Sequence, residues 1–288
     1  MRMRITILGG AGGMGGWFAS FFKDNGCNVR IVDISDNTEA IANELGLEFS
    51  NVDLLTVEVG TLKRTFADAD IVLISVPMDV TERVIERVGP ELDTGSLLMD
   101  VTSVKKAPVA MMERCTHEGV EVLGTHPLFG PYTKSLRGMP VIFVPVRKGP
   151  LYEQIYKVFE QNGAKIEFLT ADAHDEIMAV IQGLPHFILL SFGVTLKNLD
   201  FDIEVARKFM VPMYSALMDF VGRLLHQDPR LYTQIQTNFE MHTIHAAFLA
   251  TANRLSELVS EGNVDEIIGE LQAAKRHFGD TDSAMRES

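Results

Sequence analysis

At 288 residues the chain exceeds what one core usually organises, because domains cluster near ~100–150 residues, so two domains sharing a cleft are expected. A formal charge of −13 opposes any broad nucleic-acid or anionic-membrane surface, which needs clustered cations, and an anionic ligand would require local positive groups. With 46% hydrophobic residues, apolar runs short of the ~20 residues of a membrane span and no secretory cleavage pattern, a cytosolic protein with no membrane partner is expected; Cys27 and Cys115 lack both a disulfide framework and metal-ligand spacing.

Residues 4 to 170 alternate short β-branched runs with helical patterns: RITILGG, NVRIVDI, DIVLISVP, SLLMDVT, VEVLGTH, MPVIFVPV and KIEFLT. This rhythm predicts an α/β domain over 1–170 with an open, mostly parallel sheet of the dinucleotide-binding, Rossmann type. After Thr170 the β-runs stop, and the text over 171–288 becomes helical, which predicts an all-α second domain. Asp228 and Pro229 read as an N-cap and first helical residue. A helix from 229 to about 260 would be roughly 47 Å long at ~1.5 Å per residue, a bundle and dimer element. Only the last residues, DTDSAMRES, look disordered.

The run RITILGGAGGMGGWFASFF is a strand, a glycine turn and a helix, with Gly10, Gly12 and Gly15 in the G-x-G-x-x-G frame and Gly13 and Met14 between them. Gly10 is expected to permit the tight turn, Gly12 to let backbone amides approach a pyrophosphate, and Gly15 to let the helix pack closely on the strand. Strand NVRIVD then ends in Asp33, 18 positions beyond Gly15, where a carboxylate accepts hydrogen bonds from ribose hydroxyls and repels a 2′-phosphate. NAD is therefore favoured over NADP as cofactor, although the direction of nearby Arg30 is open. Val76 and Pro77 close the next strand and offer a hydrophobic wall against the cofactor.

MDVTSVKKAPV ends another strand and delivers Ser103, Lys105 and Lys106; Ser103 can cap the following helix, face the nicotinamide end, or both. GTHPLFGP then places His126 at the same sheet edge, restricted by Pro127 and Pro131, where a histidine is suited to proton transfer.

In this order and spacing, GGAGGMGGWF, DVTSVK, GTHPLFGP, AHDEIMAVIQGLPHF and MDFVGRLLHQDPRLYTQI resemble the prephenate dehydrogenase family, which includes arogenate and cyclohexadienyl dehydrogenases, over essentially the whole chain. The resemblance implies a nucleotide-binding domain, an all-helical dimerisation domain and an active site between them. It implies His126 as the catalytic histidine, Ser103 as its partner near the substrate hydroxyl, Arg223 as a ligand of a substrate carboxylate, and His186 as a helical histidine of the substrate pocket. Gln182, four residues before His186 and on the same helix face, is a weaker match. The expected substrate is a small molecule, prephenate or arogenate, which sequence does not separate; the expected assembly is a homodimer. Some relatives carry a fused chorismate mutase or a regulatory domain, and feedback control through such a domain is not expected here. A β-hydroxyacid dehydrogenase of the 6-phosphogluconate type shares the two-domain plan but relies on a helical-domain lysine, and nothing around Lys197 or Lys208 resembles that motif. A nucleotide sensor without chemistry is the non-enzymatic alternative.

Other residues read as bland. His242 and His245 lack a third metal ligand, so no metal is expected. His174, at a helix start where acids suit the dipole and histidine does not, reads as structural. Pro185 should kink its helix beside His186, and the methionines suit adaptable packing.

Overall fold

The structure is a computed structural model that describes residues 2–227 and 229–279. The expected N-cap at Asp228 and the expected disordered tail, 280–288, lie outside the described residues.

The first part of the chain runs β1 (Arg4–Leu8), α1 (Gly13–Asp24), β2 (Asn28–Asp33), α2 (Thr38–Leu45), β3 (Glu48–Asn51), α3 (Val59–Thr65), β4 (Ile71–Ile74), α4 (Met78–Val88), β5 (Leu97–Asp100), α5 (Lys106–Cys115), β6 (Glu121–Pro127), β7 (Pro140–Arg147), α6 (Pro150–Gln161) and β8 (Lys165–Phe168). Its strands form a sheet in the order β3-β2-β1-β4-β5-β6-β7-β8. Every pairing is parallel except β6 with β7. That exception follows from the connection. Parallel strands need a crossover, usually a helix, and residues 128–139 contain none.

Ile71, Val72, Leu73 and Ile74 of β4 are all buried, as a strand covered on both faces should be. The sequence reading anticipates seven of the eight strands. It misses β3, whose residues Glu48, Phe49 and Asn51 are exposed at the sheet edge and therefore show no apolar run. On one face Phe18 and Phe22 of α1 pack with Phe159 of α6, their ring centroids 5.8–6.3 Å apart.

After β8 the described chain is helical: α7 (Ala171–Met178), α8 (Leu184–Asn198), α9 (Ile203–Ala206), α10 (Pro212–His226), α11 (Pro229–Asn238), α12 (Met241–Glu261) and α13 (Val264–Phe278). Where a kink is expected, before Pro185, the helix carries a π-helical turn, Ala179–Gly183, immediately before α8. Pro185 cannot donate to the carbonyl four residues back and its ring crowds that carbonyl, so the preceding turn widens. Within the helical stretch 171–198 an 18-residue window reaches a mean hydropathy of 1.8, so the helix is long and apolar enough, by length and composition, to cross a membrane, which the sequence reading did not anticipate. It also carries His174 and Asp175, which share buried polar contacts, and Gln182 and His186, which line a cavity.

The single long helix expected from 229 to about 260 is two helices, because α11 ends at Asn238 and α12 begins at Met241. The chain divides into two compact bodies, residues 1–239 and 240–288. The second holds α12 and α13, joined through Gly262 at φ 69° and capped where Asn263 accepts from the Glu266 amide. His242 and His245 lie on α12, and no metal-ligand cluster exists among the described residues.

Candidate active site

The glycine turn joins β1 to α1. The positive φ, 86°, belongs to Gly9 rather than Gly10, and a Cβ there would stand 2.4 Å from the Ser75 carbonyl oxygen. Gly10 is instead constrained by close approach, since a Cβ would meet that of Ile31 at 2.5 Å. Gly15 fits the packing role expected of it: a Cβ would lie 2.1 Å from the Gly9 oxygen. The N-cap, Gly12, offers no side-chain acceptor, so the first-turn amides of Gly13, Met14 and Gly15 are left for an anion. Gly15→Ala is expected to cost about 1–3 kcal/mol by overpacking and to remove the rise in melting temperature that a bound dinucleotide gives. Wild-type melting, with and without dinucleotide, would refute the close contact.

Asp33 closes β2 and braces this turn. Its Oδ2 accepts from the Ala11 amide at 2.9 Å and its Oδ1 from the Ser35 amide at 3.0 Å. With Gly9, Val76, Pro77 and Arg230 it lines a cavity of about 560 Å³. The direction of Arg30 is settled. Its guanidinium pairs with Glu48 at 2.6 Å, donates to the Thr65 carbonyl and does not line that cavity.

A second cavity, about 820 Å³, is lined by Met14, Ser103, His126, Gln182, His186 and His226, among others, and shares Leu231 with the first. The two therefore flank the start of α1, an arrangement that suits a dinucleotide laid across the helix N-terminus. The loop after His126 is pinned to α1, because Trp17 Nε1 donates to the Thr133 carbonyl at 2.7 Å and its ring packs 4.8 Å from that of Phe129.

His126 is 3% exposed, near the end of β6, and its Nδ1 lies 2.8 Å from Nε2 of His174 on α7. His174, fully buried, places its own Nδ1 2.6 Å from Asp175 Oδ1. Asp175 also accepts from the Lys105 and Lys106 amides, at 2.8 and 3.0 Å, and so caps α5. Ser103 is therefore not the cap of that helix, and it faces the cavity instead. Lys105 is wholly buried, its ammonium bonded to Asp100 and, at 2.9 Å, to Thr102. Lys106 pairs with Asp172 at 3.2 Å on the partly exposed side.

These contacts set the charge states. Burial, then neighbouring His174 and Lys105, push His126 well below the ordinary histidine value. Burial also lowers His174, partly opposed by its bond to Asp175. Burial works against the charge on Asp175, yet the bonds from His174 and the two lysine amides outweigh it and hold the carboxyl below its usual value. A neutral His126 in a cavity can accept a proton.

On the other wall, Gln182 Oε1 and His186 Nδ1 are buried without a hydrogen-bond partner among the described residues. Burial keeps the His186 pKa below the ordinary value, and its ring meets Tyr232 edge to face at 4.9 Å. Buried polar atoms without partners are costly, so this wall suits a polar ligand.

Ser103, His126, Gln182 and His186 are thus brought together with Met14, and Asp33, Val76 and Pro77 with one another. Arg223 is not brought to them. It sits on the exposed side of α10 between buried Val221 and Leu224, its guanidinium 5.9 Å from the Phe220 ring, while His226, one turn on, lines the cavity. Among the described residues no arginine or lysine lines this cavity. Sequence reasoning places Lys105 at the strand end without a role, reads His174 as structural, and assigns nothing to Asp175 and His226. The His126–His174 contact spans 48 positions, and no local pattern announces a partner at that distance.

A family model described as the nucleotide-binding domain of prephenate dehydrogenase matches residues 18–168, and one described as its dimerization domain matches residues 170–273. Among curated proteins, a "Probable arogenate/prephenate dehydrogenase" of Methanocaldococcus jannaschii is 38% identical over 284 residues, covering 96% of this chain and 61% of that protein. A "T-protein" of Enterobacter agglomerans is 29% identical over 277 residues, covering 96% and 68%. The chain thus spans about three fifths of the length of the first of these relatives. The fold is that of a crystal structure of prephenate dehydrogenase from A. aeolicus in complex with hydroxyphenyl propionate and NAD+, with a TM-score of 0.77 at 21% identity, covering 96% of this chain and 97% of that one. With 38% identity to one relative and both family models accounting for nearly all of the chain, it belongs to the prephenate dehydrogenase family.

Proposed function

We propose that the protein oxidises and decarboxylates prephenate to 4-hydroxyphenylpyruvate with NAD, with residues 1–170 as the nucleotide-binding domain and 171–288 as the substrate-binding and dimerisation domain of a cytosolic homodimer. The observation that carries this reading is the meeting, in one cavity beside the start of α1, of His126, Ser103 and the unpartnered Gln182 Oε1 and His186 Nδ1. A bound nicotinamide would supply the hydride acceptor. His126 takes the proton of the C4 hydroxyl as hydride leaves C4, and Ser103 bonds the same oxygen. Gln182 and His186 answer the polar groups of the substrate. Loss of the ring carboxylate as carbon dioxide returns its electron pair to the ring and makes the product aromatic. Arg223 keeps the carboxylate role that the resemblance implies only as a side chain reaching in from beyond the cavity wall. The apolar residues that α8 and α10 expose, among them Val194, Met213 and Phe220, suit burial against a second copy of the chain.

The test is a steady-state comparison of prephenate and arogenate, each with NAD and NADP, followed by absorbance of reduced nicotinamide. Turnover of prephenate with NAD is expected to dominate. Equal or faster turnover of arogenate would move the assignment to that substrate, and silence in all four combinations would reject the reading.

A further inference from the structure

We infer that His174 and Asp175 form a proton reservoir behind His126: they fix the tautomer of the base, hold the substrate proton while the carboxylate departs, and give it back. This deepens the proposed reaction and rests on that reading for its turnover arm, though not for its first step.

The first step is a deduction from donors and acceptors. Asp175, ionised and accepting from two backbone amides, can only accept from His174 at 2.6 Å, so His174 carries its proton on Nδ1. In neutral His174 the Nε2 is then an acceptor, and the 2.8 Å contact obliges His126 to donate from Nδ1. His126 Nε2 is left with its lone pair for the cavity. The order Asp175, His174, His126 thus presents a base whose correct tautomer is imposed from behind, with no partner in the cavity required.

The second step follows from the balance of the reaction. The C4 hydroxyl gives its proton to His126 Nε2, and the hydrogen on C4 would leave with its bonding pair as hydride to a bound NAD. As the Nε2–H bond forms, the Nδ1 proton of His126 passes to His174 Nε2, and the positive charge comes to rest on the imidazole that touches a carboxylate. When the ring C–COO⁻ bond breaks, its electrons reach the C4 oxygen, which takes a proton back through the same two transfers in reverse. Prephenate and NAD give 4-hydroxyphenylpyruvate, carbon dioxide and NADH with no net proton released. The proton is therefore lent and returned, which calls for a reservoir and not for an exit to solvent. The charged and titratable groups around the pair are Asp175 and His174 on α7, Lys105 and Asp100 at the end of β5 and the loop after it, and His186 and His226 across the cavity. The Lys106–Asp172 pair stands on the partly exposed side.

Two experiments test this. Nitrogen NMR of histidine-labelled protein without ligand, with the His126 signals identified by their loss in His126→Asn, should find His126 protonated on Nδ1 and bare on Nε2. The opposite tautomer would overturn the inference whatever the enzyme's substrate. In turnover, His174→Gln keeps a hydrogen-bonding side chain but cannot hold a proton, and kcat should fall on the order of 10²-fold with dinucleotide binding unchanged. In the wild type the first proton taken up on acidification sits on His174 beside Asp175 and disables the base. In His174→Gln that site is gone and only buried His126 remains, so the acid limb of kcat/KM should move to lower pH. A slower enzyme with an unmoved acid limb would reduce His174 to a packing role and sink the reservoir. A wild type inactive on prephenate would instead strike the proposed reaction, with the tautomer measurement still deciding the inference.

Discussion

Replacing His126 by asparagine is expected to lower kcat by a factor on the order of 10²–10⁴, the usual contribution of a positioned base, while dinucleotide affinity stays near that of the wild type. The proposed cofactor side of the site is the cavity lined by Asp33, Gly9, Val76 and Pro77, none of which depends on the imidazole. Asparagine is small enough for the 3%-exposed position near the end of β6 and can still meet His174, so the strand should survive. Stopped-flow or steady-state measurement of NADH formation, beside dinucleotide titration by fluorescence, separates the two effects. An unchanged kcat would remove His126 from the chemistry. Loss of dinucleotide binding together with kcat would point to collapse of the β6 end instead. In the wild type, burial holds both His126 and His174 below the ordinary histidine pKa, so the pair stays neutral as pH falls below the ordinary value, and activity is lost only at lower pH, when His174 takes the first proton.

Much of this site could be read from the chain because it stands where strands end. Asp33, Pro77, Ser103 and His126 each stand at or just beyond the end of a largely buried, mostly apolar strand, and a parallel sheet brings the carboxyl ends of its strands to one edge. Local pattern was sufficient there, including the turn glycines, although the conformational burden falls on Gly9 and not Gly10. What it could not supply was partnership across the fold. His174 at a helix start looked electrostatically misplaced for its own helix, and that was a true signal with the wrong explanation: its imidazole answers His126 and Asp175, not the helix dipole. The same limit applies to Arg223. A motif fixes a residue's place on α10 but not the rotamer of a long side chain, and here the guanidinium extends towards Phe220. Strand β3 was missed for a simpler reason, since an exposed edge strand needs no apolar run.

Lys105 carries the second large effect, and it joins stability to chemistry. Its ammonium is fully buried against Asp100 and Thr102, and Asp100 Oδ1 has no partner among the described residues, so the pair leaves little solvent to absorb a lost charge. Lys105→Met should therefore destabilise by about 3–5 kcal/mol, because a buried carboxylate is left unpaired, and should lower the melting temperature by roughly 6–20 °C. Adding Asp100→Asn removes the stranded charge and should restore more than half of the loss, a non-additivity that calorimetry of the four proteins measures. Simple addition of the two effects would mean that the ion pair does not hold this corner together. The lysine charge also lowers both His126 and His174, so its removal should raise the pKa of the pair. Asp100 raises His174, so its neutralisation opposes this, but by less than the lysine lowers it, and the acid limb of kcat/KM in the double variant should still move to higher pH, opposite to the displacement expected of His174→Gln. Limbs that move in the same direction would separate Lys105 from the proton-holding pair and leave it a purely structural cation.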